Sequence, residues 1–580
     1  MILVPVILAG MAAGLVWGME DGAPGTEHPA PRISPLIWAS DDATANYMIG
    51  ALADVRGDVS VAAEGYMKAM AANPENMMLR HRVFEFSLMN GDVETALRLA
   101  RSMPQAQQDT LTRLVVALNL VKKNKLPEAG DELRRVSKLS PELLQFQLLE
   151  SYVDVARGKK LAVVEKRLLK SETGKALAPW RDYHMARMEL KAGHVEQARK
   201  LLESARKAQP GSLLTTQLLG QVMAMQGDAE AAAALYAGYR QANPSVSLLV
   251  PERPAEKKGD AYTSTLNDDM AATLFDFGLL VWSEGALMPA RQLMHLAVNM
   301  SPDNAIYRFY TGMLLEMGGD GPGAISMYMP LTAASMPEGV RLLAALRINE
   351  VKFRLGDEQA ALNALKALLQ THEGEIALHR SIAQMAFNTK DYATAVTQYS
   401  YVADHMPKGT PDKAQAELLF ARGAAYERMG DVTRAGKDLE QALVLDSTNP
   451  QILNYLGYMW IENGLRVEDA FALLRKAHIL APQDAAITDS LGWAYYLRGN
   501  YDVAQAYLLR AVEMDPASPE IVDHLGDTYS RMNRPDDAKK EWRRALDLLD
   551  RGQEPPRENF RTEVERKLRR GNLSTGFWGF

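Results

Sequence analysis

Gly423, Gly457, Gly492 and Gly526 follow one another at intervals of 34, 35 and 34 residues, and a small residue recurs twelve or thirteen positions after each: Ala435, Ala470, Ala504 and Ala538. A period of 34 with small residues at fixed offsets marks stacked helix-turn-helix modules, and it constrains the fold more than any single motif in the chain. The sharpest copy runs Leu491-Gly492, Tyr495, Ala504, Leu508, Ala511 and Pro516. The copies around Gly526 (Tyr529, Ala538, Trp542, Ala545) and Gly457 (Trp460, Ala470, Leu474, Ala477, Pro482) match it, the second with one residue inserted in the turn. The same offsets reach back through Gly312, Gly278, Gly220 and Ala186 to Gly50. Weaker copies centre on Phe84, Ala117, Ser151 and Ala383, with a degenerate one near residues 341–374, so the chain holds about fourteen.

The recurring residue types have a physical reason. Two antiparallel helices joined by a short turn approach closely where both present small side chains, so Gly or Ala on the first helix is expected to face Ala on the second. Leu, Tyr, Trp and Phe at the other inward positions fall at helical spacing, and the Pro after the second helix stops it. One module alone cannot bury its face, whereas a stack makes a continuous core. In register at Gly, Tyr, Ala, Ala and Pro, the pattern resembles the tetratricopeptide repeat family over about nine tenths of the chain. The resemblance implies an all-α, right-handed superhelical solenoid of about 14 repeats with a concave binding surface.

Composition narrows the function. A net charge of −7 gives no general attraction to nucleic acid, and the absence of cysteine rules out disulfides, thiolate metal sites and a lipid-bearing cysteine. The ten histidines are scattered, and the closest pairs, His184 with His194 and His372 with His379, lie near no second group of ligands. Thr371-His372-Glu373-Gly374-Glu375 lacks the second His of a helical zinc-protease motif, and Asp489-Ser490 lies outside any Gly-x-Ser-x-Gly turn. The expectation is a protein that is not an enzyme and uses no cofactor or metal.

Ile2 to Trp17 is an uncharged apolar run, short for a spanning helix and suited to the core of a signal peptide. The first basic residue is Arg32, so the usual basic start is missing. Gly10, Gly14 and Gly18 have the spacing of closely packed membrane helices or, alternatively, supply small residues near a cleavage site. The reading is export to the periplasmic side of a cell envelope, with residues 1–18 a signal peptide or signal anchor and 19–42 a linker. An N-terminal array is expected over 43–244 and a C-terminal array over 271–550. Between them, 245–270 breaks the phase, either as a surface loop or as a structured loop folded over the groove. The tail, 551–580, is expected to hold a capping helix over Glu563–Arg570 and to end in Gly576-Phe577-Trp578-Gly579-Phe580, packed on the cap or free as a ligand.

Specificity is expected in the groove-facing residues of the last first helices: Asn454, Tyr455, Tyr458, Asp489, Ser490, Trp493, Tyr496, Asp523, His524 and Asp527. This set is aromatic and acidic. It departs from the Lys, Arg and Asn clamp by which chaperone-tail binders of the family hold a carboxylate, and it suits a protein surface or extended peptide, although Tyr458 and Trp493 can equally pack between repeats and Asp489, Asp523 and Asp527 can equally be solvated.

Leu453-Asn454-Tyr455-Leu456-Gly457-Tyr458, Asp489-Ser490-Leu491-Gly492-Trp493, Asp523-His524-Leu525-Gly526-Asp527 and Trp542-Arg543-Arg544-Ala545-Leu546 carry a narrower likeness. These phrases resemble bacterial envelope tetratricopeptide proteins, among them the lipoprotein adaptors of carboxy-terminal processing proteases. That resemblance implies an adaptor or scaffold that binds protein partners, such as a periplasmic protease and its substrates. The missing lipidated cysteine departs from those adaptors. The alternatives are an assembly scaffold for secretion, pilus or exopolysaccharide machinery, and a regulatory partner of a glycosyl transferase.

Overall fold

The computed structural model describes residues 42–104, 109–407, 409–553, 557 and 559–570. The apolar N-terminal run and the terminal aromatic residues lie outside them. The described residues hold fourteen antiparallel helix pairs. The first six are α1 (Ala43–Val55) with α2 (Val59–Ala72), α3 (Met77–Met89) with α4 (Val93–Ser102), α5 (Thr110–Lys122) with α6 (Leu126–Leu139), α7 (Leu144–Ala156) with α8 (Leu161–Lys170), then, after the short α9 (Glu172–Ala176), α10 (Ala178–Lys191) with α11 (Val195–Ala208) and α12 (Leu213–Gln226) with α13 (Ala229–Ala242). Next come α14 (Leu266–Ser283) with α15 (Leu287–Met300), α16 (Ala305–Met317) with α17 (Gly321–Tyr328), and α18 (Glu338–Arg354) with α19 (Glu358–Leu369). The last five are α20 (Ile376–Asn388) with α21 (Tyr392–Asp404), α22 (Asp412–Arg428) with α23 (Val432–Leu445), α24 (Pro450–Glu462) with α25 (Val467–Leu480), α26 (Ala485–Leu497) with α27 (Tyr501–Met514), and α28 (Pro519–Arg531) with α29 (Pro535–Asp550), followed by α30 (Phe560–Arg570). Among the described residues no helix is long and apolar enough to cross a membrane.

The glycines that set the period are close contacts, and what they meet refines the sequence reading. A methyl group added at Gly457 would sit 2.9 Å from Leu474 Cγ, at Gly492 2.9 Å from Leu508 Cγ, at Gly423 3.0 Å from Leu439 Cγ, and at Gly526 2.7 Å from the Trp542 indole. The partner is thus a large side chain one turn beyond the recurring Ala. The Ala itself lies against the glycine through its backbone, with the Ala470 and Ala538 carbonyls 3.0 and 3.3 Å from those methyl positions.

A second series went unread in the sequence. Every pair turns through a residue in the left-handed region: Gly57, Gly91, Asn124, Gly158, Gly193, Gly227, Gly285, Gly319, Gly356, Lys390, Gly430, Gly464, Gly499 and Asn533. A chain that reverses between two helices in so few residues needs positive φ there, which glycine and asparagine adopt most readily. The residue inserted after Gly457 produces a further left-handed position, Arg466 at φ 43°, whose guanidinium lies 4.1 Å over the Trp460 ring. Asp58, Asp92, Asp320, Asp391 and Asp431 then cap the second helices by accepting a backbone N–H three residues on.

The chain divides into two compact units, one up to Ala364 and one from Leu365, so 245–270 lies inside the first. In that unit the first helices α3, α5, α7 and α10 do not line an empty face, because α14 packs against α5, α7 and α10, and α15 against α3, α4 and α5. Residues 245–270 begin with a 3₁₀ turn over Pro244–Leu249 and are tied to the preceding pair by the Gly259 N–H, which donates to the Met225 carbonyl at 2.9 Å. The seated helices are locked by charge as well as apolar burial. Asp269, fully buried, accepts from Arg187 at 2.8 Å and pairs with Lys191. His184 lies 3.3 Å from Asp276, Lys122 donates to Asn299 at 3.2 Å, and Arg291 donates to the Met89 carbonyl. Met270, Ala271, Ala272 and Leu274 on α14 are fully buried.

In the second unit, α24 touches α26, and α26 touches α28. These first helices therefore form one continuous layer and present a common face. After α29 the last described helix is α30, whose Phe560 and Val564 are fully buried in one cluster with Trp542, Ala538 and Tyr529. That helix begins three residues before the capping helix expected from the sequence.

Candidate functional site

The groove candidates all lie on α24, α26 and α28, so the repeat stacks them in three successive layers. A one-step ladder connects the layers: a carboxylate on one first helix accepts a hydrogen bond from a donor on the next. On α22, Glu427 accepts from the Tyr455 hydroxyl at 2.9 Å. On α24, Glu462 accepts from the Trp493 indole N–H. On α26, Asp489 holds His524 Nδ1 through both oxygens, at 2.9 and 3.0 Å. On α28, Asp523 and Asp527 both accept from Lys567 of α30, at 2.8 and 2.7 Å.

Aromatic stacking runs alongside this ladder. Trp493 lies nearly parallel to Tyr496, with ring centroids 4.4 Å apart, and to His524 at 4.1 Å. Burial alone would lower the His524 pKa, but the charge and hydrogen bonds of Asp489, helped by Glu520 and Asp523, outweigh it and leave the pKa raised to about 9. The ring is therefore an imidazolium at neutral pH, stacked on an indole and paired with a carboxylate, a combination that suits cation–π attraction.

One repeat further on the charges are closer together. Burial pushes Asp527 up to about 6, with Lys567 opposing the rise and Asp523 adding to it. Its other oxygen accepts from the Trp542 indole at 2.9 Å. Burial works against the charge on Lys567, but the two aspartates hold its pKa above the ordinary lysine value.

The structure brings Tyr496, Trp493, Asp489, His524, Asp523 and Asp527 together in this network. Asp489, Tyr496, Asp523, His524 and Asp527 are buried, with their partners supplied by the same chain. Ser490 is apart from it: its hydroxyl donates to the Ala486 carbonyl one turn back at 2.9 Å. Asn454 is half-buried, and its Oδ1 has no hydrogen-bond partner among the described residues. Tyr455, Tyr458 and Trp493 are half-buried as well, as are Glu462 and Glu520. The Tyr458 hydroxyl is held neutral by burial first and then by Glu462, Glu520 and Asp489 around it.

Sequence reasoning missed Glu427, Glu462 and Lys567. Glu427 follows Gly423 by four residues and Glu462 follows Gly457 by five, so the two stand one residue out of register and the repeat did not point to them. Nor did it point to Lys567, which lies beyond the last repeat. Among the described residues no group of three His, Asp or Glu side chains is placed to hold a metal. The arrangement offers a partly buried aromatic and carboxylate face over a base in which His524 and Lys567 offset most of the aspartate charge.

Residues 183–247 and 406–551 match family models described as tetratricopeptide repeat. The TPR repeat-containing protein PA4667 of Pseudomonas aeruginosa is 30% identical over 220 residues, which is 38% of this chain. The match spans 35% of that protein's own length. Among solved structures, a chain of the APC/C hetero-tetramer Cut9-Hcn1 is similar at 13% identity over 91% of this chain and 96% of that one, with a TM-score of 0.39. MamA from Desulfovibrio magneticus RS-1 is similar at 22% identity over 31% of this chain and 97% of that one, with a TM-score of 0.27.

Proposed function

We propose that this chain, which belongs to the tetratricopeptide repeat family, is a non-enzymatic scaffold of the bacterial cell envelope that holds a partner protein against the inner face of its second unit. The observation that carries the choice of face is the contrast between the two units. The corresponding face of the first is filled by α14 and α15, whereas in the second Tyr455, Tyr458 and Trp493 are only partly buried, beside Glu462 and Glu520. Aromatic side chains flanked by hydrogen-bonding groups bind protein surfaces well, because they bury large area at small conformational cost.

The apolar run Ile2–Trp17 supports export to the periplasmic side. The phrases around Gly457, Gly492 and Gly526 support a partner of the carboxy-terminal processing protease class. The test is affinity capture from envelope fractions with the full-length chain and with Tyr458→Ala, followed by mass spectrometry. Recovery of such a protease by the native chain, reduced about tenfold or more by the substitution, is expected. Recovery of pilus, secretion or polysaccharide-synthase subunits would favour the assembly reading, and a chain found only in the cytoplasm would refute both.

A further inference from the structure

The carboxylates at the end of the inner face are covered by α30, the last helix among the described residues. α30 follows the fourteenth pair, and it is held in two different ways. Its first turns are anchored by Phe560 and Val564, both fully buried beside Trp542. Beyond Val564 the polar tie is Lys567, which reaches across to Asp523 at 2.8 Å and Asp527 at 2.7 Å, with Leu568 partly buried beside it. Of the other side chains described in that half, Glu565 is half-buried and Arg566 and Arg569 are exposed. Asp523 and Asp527 are 1% and 5% exposed beneath it, on the same helix as His524, which stacks on Trp493.

We propose that α30 is a displaceable lid on the inner face of the second unit, latched by Lys567, and that a partner segment carrying a lysine or arginine takes the place of that ammonium on the Asp523 and Asp527 carboxylates. The proposal rests on the reading of this face as the binding surface, and it adds a closed and an open form. Three physical points support it. Among the described residues α30 packs on α29 and reaches α28 through Lys567, a smaller set of contacts than the pairs behind it make, so it opens at lower free energy than they do. The contact that closes it is charged, and its geometry is one that another cation can reproduce. Opening leaves two carboxylates without their counter-charge, which favours an open state only when a cation replaces the lysine.

Hydrogen exchange on the full-length chain tests this without any partner, so its failure would leave the binding reading standing. In Lys567→Met the side chain keeps its length but loses its charge. The amides of α30 should exchange about tenfold faster or more, while those of α28 and α29 keep their protection. Lys567→Arg should restore slow exchange. If α28 and α29 lose protection together with α30, the helix is a fixed part of the stack and no lid exists. Unchanged exchange of α30 in Lys567→Met would show that the lysine is not its latch.

Discussion

Gly526→Ala and Gly436→Ala are the same chemical change in the interior of two helices of the second unit, and the structure assigns them opposite signs. In an exposed helix the change gains up to about 1 kcal/mol from backbone entropy. At Gly436 a new methyl group meets nothing nearer than 3.8 Å, so most of that gain should survive. At Gly526 it sits 2.7 Å from both Cδ1 and Nε1 of Trp542, where ordinary contact begins near 3.4 Å, so the indole must retreat by about 0.7 Å. Trp542 is fully buried among Ala538, Phe560 and Val564 and has little room to do so. Overpacking of this kind costs about 1–3 kcal/mol. The movement also draws the indole N–H away from Asp527, and a buried acceptor short of its donor costs about 1–3 kcal/mol. Allowing for the helix gain and for partial relaxation, Gly526→Ala should lose about 2 kcal/mol while Gly436→Ala gains about 0.5–1 kcal/mol. Urea denaturation followed by circular dichroism measures both, with hydrogen exchange of α28 and α29 as a local readout because a long repeat array need not unfold in one step. A Gly526→Ala protein as stable as the native one, or an equal loss at Gly436, would refute the packing argument.

Other outcomes follow from the buried charges. His524 has its pKa raised to about 9 in the folded chain, so its contribution to stability is complete below about 6.5 and is lost as pH rises through about 9. Thermal midpoints between pH 6 and 10 should fall more steeply for the native chain than for His524→Gln, with about 3 kcal/mol at stake as an upper figure. In the first unit, Arg187→Met leaves Asp269 fully buried with Lys191 as its remaining cation. A loss of about 3–5 kcal/mol is expected by urea denaturation, accompanied by faster exchange in α14. A substitution that proved neutral would mean that apolar burial alone seats that helix.

The register of Gly, Ala and Pro made the helix pairs legible, because close helix approach is a local demand on side-chain size and the demand recurs at every module. The left-handed residues from Gly57 to Asn533 were equally periodic and equally local, and the eleven of the fourteen that are glycines are legible in the sequence. The seating of α14 was not legible. Nothing in Leu266–Ser283 distinguishes a helix that continues a stack from one that packs against α5, α7 and α10, because its partners lie on helices between roughly 75 and 170 residues away. The candidate site divides the same way. Its residue positions follow from the repeat, but whether Asp489 or Asp523 meets water or a cation depends on His524 and Lys567 from the next helices.

The sequence by itself determined the repeating unit, since one helix pair is specified by contacts a few turns apart, such as Gly526 against Trp542. Only the tertiary structure decided which faces of the stack remain available, because that depends on where α14 and α30 come to rest. The polar contacts of α14, of its partner α15 and of α30 join groups between about 40 and 200 residues apart, from Lys567 on Asp527 to Arg291 on the Met89 carbonyl, and no local pattern encodes such contacts.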